Sequence, residues 1–173
     1  REEKPPEVSS AILKMMKVLQ AIDNWSAEFE RAHVYQTPHG PIVPKVNIGA
    51  IQGGAPFRSN YYPGVCAVYL DVRTPPELRP VQVQHELKDV LAKLGVEYEI
   101  EMYASKMGYE SKNAGVIIKA VEDSYQSLFG KKTPTPTGLH ASIWTDTNIY
   151  NEMGIPVCKF GLGGGRWKQR SEQ

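Results

Sequence analysis

Residues 46–73 read V-N-I-G-A-I-Q-G-G-A-P-F-R-S-N-Y-Y-P-G-V-C-A-V-Y-L-D-V-R. Two runs of alternating residues flank a glycine- and proline-rich loop, which is the pattern of two strands joined by an irregular connection. In the first run Val46, Ile48 and Ala50 fall on one face, and Asn47, Gly49 and Ile51 on the other. In the second, Cys66, Val68, Leu70 and Val72 alternate with Val65, Ala67, Tyr69, Asp71 and Arg73. Period-two alternation predicts a half-buried sheet, with helices on one face and the other face open. Asp71 and Arg73 share the open face. Asn60 lies in the loop, thirteen residues before Arg73.

Upstream, Val8, Ile12, Met15, Leu19 and Ile22 recur at steps of four and three, a single stripe on a helix. Pro5 and Pro6 predict its start, because proline is tolerated only in a first turn; the stripe spans Glu7 to Ile22, beyond which the helix either frays or runs on to about Arg31. The methionines on this helix read as core packing. Residues 34–44 hold Pro38, Gly40, Pro41 and Pro44 and read as a loop or hairpin. His33 and His39 there read as solvated loop histidines, since a pair without a third ligand does not define a metal site.

Downstream, T-P-P-E at 74–77 ends the strand. A second helix carries Val83, Leu87, Val90, Leu91 and Leu94 on its stripe, with Gly95 as its stop and His85 exposed off the stripe. V-E-Y-E-I-E-M-Y at 96–103 alternates again, predicting a strand whose glutamates face solvent. Residues 7–103 therefore read helix, strand, strand, helix, strand. This is an α+β arrangement, with helices on one face of an antiparallel sheet. It matches a ferredoxin-like βαββαβ unit lacking its first strand, which would lie mid-sheet. That gap, with a start of R-E-E-K-P-P-E, predicts that the chain is a piece of a longer protein.

After Ser105 the character changes. Asn113 is placed to cap a third helix with Ile117, Val121, Tyr125 and Leu128 on one face and Gly130 as its stop. Thr145 is placed to cap a short helix closed by Gly154, and I-P-V-C-K-F reads as a buried strand before G-L-G-G-G. The predicted division is residues 1–106 and residues 107–173, the second an incomplete α/β piece.

Lys and Arg total 20 against 19 Asp and Glu, so charge gives no reason to expect nucleic acid or an anionic membrane as partner. No apolar run approaches the roughly 20 residues of a membrane span. Cys66 and Cys158 read as buried free thiols, which points to a reducing compartment such as the cytoplasm. Nucleophile-elbow, Walker, C-x-x-C and H-E-x-x-H motifs are absent. His140 and Asp146 read as structural. The terminal glycine loop precedes no helix, so it reads as a tight turn at a sheet edge lining a cleft rather than a phosphate cradle.

Asn60 and Arg73 are the strongest binding candidates. A guanidinium fork matches a carboxylate, and an Asn amide donates to the same oxygens. The residues alone leave two readings open. They form a carboxylate clamp, or Asp71 pairs with Arg73 along the strand and Asn60 is an ordinary turn residue.

I-G-A-I-Q-G-G (48–54), N-Y-Y-P (60–63) and L-D-V-R (70–73) together resemble the lid domain of a two-metal peptidase family. That family includes aminoacylases, acetylornithine deacetylases, succinyl-diaminopimelate desuccinylases and carboxypeptidase G. W-T-D-T-N-I-Y-N-E-M-G-I-P (144–156) and F-G-L-G-G-G (160–165) are similar to the end of its catalytic domain. The resemblance implies a hydrolase of N-acyl amino acids or small peptides. It would be a homodimer through the lid, with a zinc-peptidase-like domain holding two divalent metals (zinc, or cobalt or manganese). Asn60 and Arg73 match the lid residues that hold the substrate carboxylate or oxyanion. Thr145, Asp146 and Gly163–Gly165 match cleft-lining loops.

The chain departs from the family at its metals. The family's H-x-D motif, its Glu-Glu pair and its other early ligands belong to an N-terminal half that this segment is expected to lack, and the lid's first strand with its histidine and the late histidine ligand after the glycine loop are missing as well. Leu162 replaces the usual proline, and Ile143 and Trp144 stand where glycines are common. The expectation is that this segment carries no catalytic residue, binds no metal and is inactive alone. Two other readings are a non-catalytic module for dimerisation and carboxylate binding, and a small-molecule sensor whose glycine loop holds a nucleotide.

Overall fold

A computed structural model describes residues 10–37, 40–111, 113–133 and 145–160. They fall into two compact units, one ending at Tyr109 and the other beginning at Glu110. The first contains helix α1 (Ala11–Ala32), strands β1 (Tyr35–Thr37), β2 (Gly40–Ile42), β3 (Lys45–Gly53) and β4 (Cys66–Arg73), and helix α2 (Pro80–Ala92). The second contains α3 (Gly115–Phe129) and α4 (Thr147–Glu152). The fold is α+β, with two small antiparallel sheets, β1–β2 and β3–β4. Among the described residues no helix is long and apolar enough to cross a membrane.

The core of the first unit lies between the helices and the inner face of β3–β4. Met15, Val18, Ile22, Trp25 and Phe29 of α1 meet Leu78 and Val83, Leu87 and Leu91 of α2, with Val46, Cys66, Val68, Leu70 and Val72 packed beneath. Ile22 and Phe29 are only 2% and 1% exposed. Each side chain so buried contributes about 1.5–3 kcal/mol relative to an exposed one. The buried stripe of α1 therefore runs through Val18 and on to Phe29, and Ile12 stays 44% exposed. The expected start at Pro5 and Pro6 lies outside the described residues. Ser10 is extended (φ −57°, ψ 128°), so the first helical residue is Ala11. At α2, Pro80 occupies the first turn and Gln82 Oε1 accepts from the Arg79 N–H at 2.9 Å, a side-chain seal on an otherwise open helix start.

The face assignment of β3 needs correcting. Ile48 pairs with Leu70, but the next pair is Ala50 with Tyr69, so Gly49 is the extra residue of a β-bulge. Paired residues share a face, so Ile51, opposite Val68, joins the inner face. Ala50 and Gln52 move to the open one. Strict alternation fails here because one inserted residue reverses the parity of everything beyond it.

Two expected strands are absent. Residues 96–103 form no ladder, although Val96 and Ile100 pack on the core. Alternation specifies which side chains turn inward, but a strand also needs a neighbour to bond, and among the described residues β3 and β4 pair only with each other. Likewise 155–160 forms no strand, and Ile155 and Phe160 are 45% and 57% exposed. Both helix stops hold in the second unit, with Gly130 and Gly154 left-handed at φ 66° and 76°. Asn113 is itself left-handed (φ 67°) and does not cap α3 by its side chain, the preceding turn residue being Ala114. Both cysteines are free and half-buried.

Candidate functional site

Arg73 is the last residue of β4, and Thr74-Pro75-Pro76 cannot extend the ladder beyond it. Its Nε and Nη2 donate to the same oxygen of Asp71, Oδ2, at 2.9 and 2.7 Å. The two side chains stand two residues apart on the open face, 42% and 51% exposed. The hydrogen bonding to the Asp71 carboxylate raises the guanidinium pKa above its usual value. Burial opposes the rise, and the charge of Asp71 adds to it. Arg73 is a permanent cation whose plane is fixed by its neighbour. The pairing engages two of the five N–H donors of a guanidinium.

The cross-strand neighbours complete this end of the face. Lys45 stands opposite Arg73 and Asn47 opposite Asp71. Beyond the bulge, Gln52 Oε1 accepts from the Tyr69 hydroxyl at 3.2 Å. Gly108 permits the chain to pass close behind the strand exit. A Cβ there would fall 2.7 Å from the Thr74 carbonyl oxygen and 2.8 Å from the Pro76 nitrogen.

Asn60 sits in the 54–65 loop, in turns closed by Arg58 N–H to Ala55 O at 2.9 Å and Tyr61 N–H to Arg58 O at 3.0 Å. It is exposed, and among the described residues its amide has no hydrogen-bond partner. The loop is seated at the start of α1, where the Ala11 N–H donates to Pro63 O at 2.8 Å. The Arg73 end of the sheet is seated near the finish of α1, where Val46, the partner of Val72, donates its N–H to Glu30 Oε1 at 3.1 Å. About 28 Å of helix separates those two anchors. Asn60 is three residues from Pro63, a reach of about 10 Å. Within one protomer Asn60 and Arg73 are therefore anchored toward opposite ends of α1.

In the second unit, Thr145 Oγ1 lies 2.6 Å from Thr147 Oγ1, and the Thr145 N–H donates to Asn148 Oδ1 at 3.4 Å. Asp146, not Thr145, occupies the cap position of α4, and its carbonyl accepts from the Ile149 and Tyr150 N–H groups at 3.0 and 3.2 Å. The Asp146 side chain makes no capping bond and is exposed. Gly163, Gly164 and Gly165 lie outside the described residues, as do His39 and His140.

His33 is not a solvated loop residue. Its Nε2 lies 2.8 Å from Glu86 Oε1, and its ring packs on Phe29 at a centroid distance of 4.7 Å. The other carboxylate oxygen of Glu86 accepts from Trp25 Nε1 at 3.2 Å. One carboxylate of α2 thus ties two turns of α1. The signal was available, since Trp25, Phe29 and His33 continue the helical step of four.

Among the described residues no group of three or more His, Cys, Asp or Glu side chains is placed to hold a metal ion. The described donors do not fit a two-metal centre. The family model for the peptidase dimerisation domain matches residues 2–99. It covers more than half of the sequence, including both strands, the Asn60 loop and Arg73, and the chain therefore belongs to the peptidase dimerisation domain family.

Proposed function

We propose that this chain is the lid, with a C-terminal portion of the catalytic domain, of a metal-dependent hydrolase. Its substrate would be an N-acyl amino acid or small peptide, cleaved at an amide bond. The observation that carries this reading is Arg73, a cation held by Asp71 on the open sheet face within a peptidase dimerisation domain. In it, residues 1–106 are a ferredoxin-like lid whose central strand is supplied from outside this sequence. Residues 107–173 are part of the catalytic domain. Arg73 binds the substrate carboxylate or oxyanion through its guanidinium, and the Asn60 amide donates to the same group. Thr145, Asp146, Gly163 and Gly164 line the cleft from the catalytic side. The two metals, zinc or a similar divalent ion, belong to the parent enzyme and would supply an activated water.

The anchoring of Asn60 and Arg73 toward opposite ends of α1 gives the dimer a role. A carboxylate spans only a few Å, so the two residues serve one ligand if a second copy brings its Asn60 loop to Arg73. The whole enzyme would act in the cytoplasm as a homodimer.

The test joins this chain to the segment that precedes it in its gene and assays N-acetyl amino acids, with and without a chelator. The reading expects hydrolysis that the chelator and Arg73→Ala each abolish. A joined chain that dimerises and binds carboxylates yet hydrolyses nothing would make it a non-catalytic binding module instead.

A further inference from the structure

Among the described residues β3 lies at a border of its sheet, with β4 as its one partner. Such a border invites a further strand, because its outward N–H and C=O groups have no ladder to join. Apolar side chains strengthen the invitation, since Ile48 and Ile51 lie on the helix side of β3 yet stay 37% and 52% exposed. Successive amides of an antiparallel strand point alternately toward the neighbouring strand and away from it. The Val46 N–H donates to Glu30 Oε1 of α1 at 3.1 Å, which puts it on the outward side. Ile48 shares that side, and the bulge at Gly49 breaks the repeat beyond it. Before the bulge, the outward amides are therefore those of Val46 and Ile48, and a helix carboxylate takes the first.

We infer that Glu30 guards the start of β3, holding the outward Val46 N–H so that β3 of a second copy cannot pair there. An incoming strand would have to displace a charge-assisted bond and set its own carbonyl oxygen beside a carboxylate. It would gain only the Ile48 amide before the bulge turns the border away. The strand kept out is that of a second copy, because an antiparallel border is complementary to itself about a two-fold axis. Copies of this chain are also the partners to expect in a dimerisation domain family. Glu30 thus acts on how copies meet and not on the ligand, and the inference does not depend on the hydrolase reading.

The test compares the 173-residue chain with Glu30→Ala, which frees the amide, and Glu30→Gln, whose carbonyl can still accept from it. Asp23→Ala removes another carboxylate of α1 and controls for lost charge. Amide exchange by NMR reads the bond, and sedimentation velocity over a concentration series reads self-association. In Glu30→Ala the Val46 amide is expected to exchange about tenfold faster in dilute solution, as the loss of one hydrogen bond to a charged group implies. The same variant is expected to form assemblies larger than those of wild type as concentration rises. Glu30→Gln and Asp23→Ala are expected to sediment as wild type. The inference is overturned if Glu30→Ala sediments as wild type at every concentration. It is equally overturned if Glu30→Gln or Asp23→Ala associates as strongly as Glu30→Ala, because the bond to Val46 would then not be the guard.

Discussion

Asp71 and Arg73 are joined through a single oxygen, with Nε at 2.9 Å and Nη2 at 2.7 Å from Asp71 Oδ2. Ion pairing along the strand and ligand binding looked like rival explanations of these residues. The geometry makes them compatible, because a carboxylate that fixes the plane of a guanidinium also presents it in one orientation. Arg73→Ala should change unfolding free energy by less than about 1 kcal/mol, since exposed pairs contribute little. Carboxylate binding should be lost in the same variant. Chemical denaturation and a ligand titration on one preparation check both halves. A large stability loss would make the pair structural.

Asp71→Asn separates positioning from charge. It keeps an acceptor near Arg73 but removes the ionic hold that raises the guanidinium pKa. The raised value means that Arg73 contributes its charge at every pH below its ordinary range and loses it only at higher pH still. Ligand binding in Asp71→Asn should therefore weaken several-fold without any new pH dependence arising from Arg73, as titrations at neutral and mildly alkaline pH would reveal.

Glu86 is the polar tie between α1 and α2, bonding both Trp25 Nε1 and His33 Nε2. Glu86→Ala should cost about 1–3 kcal/mol, because it strands two donors in a half-buried place. Glu86→Gln should cost less, since its carbonyl still accepts one of them. Urea unfolding of the two variants distinguishes the ranking from a purely apolar contact, for which the variants would be equal.

Phe29, 1% exposed, sits where α1 meets the rest of the core. Phe29→Ala should destabilise the first unit by about 3–5 kcal/mol, the range for emptying a buried aromatic site. Thermal unfolding followed by tryptophan fluorescence reports it directly, because Trp25 packs on that ring at 4.8 Å.

Much of the first unit was legible in the sequence, and the failures have definable causes. The stripe Val83, Leu87, Leu91 needed only helical periodicity, and it is the stripe that is buried. The β3 faces beyond Ile48 were misassigned because a bulge at Gly49 leaves no local trace apart from the glycine itself. Residues 96–103 carry a strand pattern without a strand, because pairing depends on a neighbour that no pattern within the segment can supply. His33 was misread by looking at its proline-rich surroundings instead of the step of four from Phe29. At the site, sequence order put Asn60 and Arg73 close together, whereas an antiparallel ladder carries the end of β4 away from the loop that starts it.

Gly108 should be intolerant of a side chain in a way that Gly64 is not. A Cβ on Gly108 meets the Thr74–Pro76 backbone at 2.7–2.8 Å, whereas one on Gly64 meets nothing within 4 Å. Gly108→Ala should lower stability by about 1–3 kcal/mol and disturb the amide resonances around Arg73, with Gly64→Ala near wild type. Equal effects would remove the assigned role of Gly108 at the strand exit.

The most direct test of the central claim is subunit mixing. Asn60→Ala and Arg73→Ala chains are prepared separately, combined under conditions that exchange protomers, and titrated with an N-acetyl amino acid. If one ligand is held by Arg73 of one protomer and Asn60 of the other, each variant alone binds poorly. The mixture should recover about a quarter of the wild-type sites, because half of the dimers are mixed and each has one intact site. A mixture that binds no better than its components would contradict the shared site.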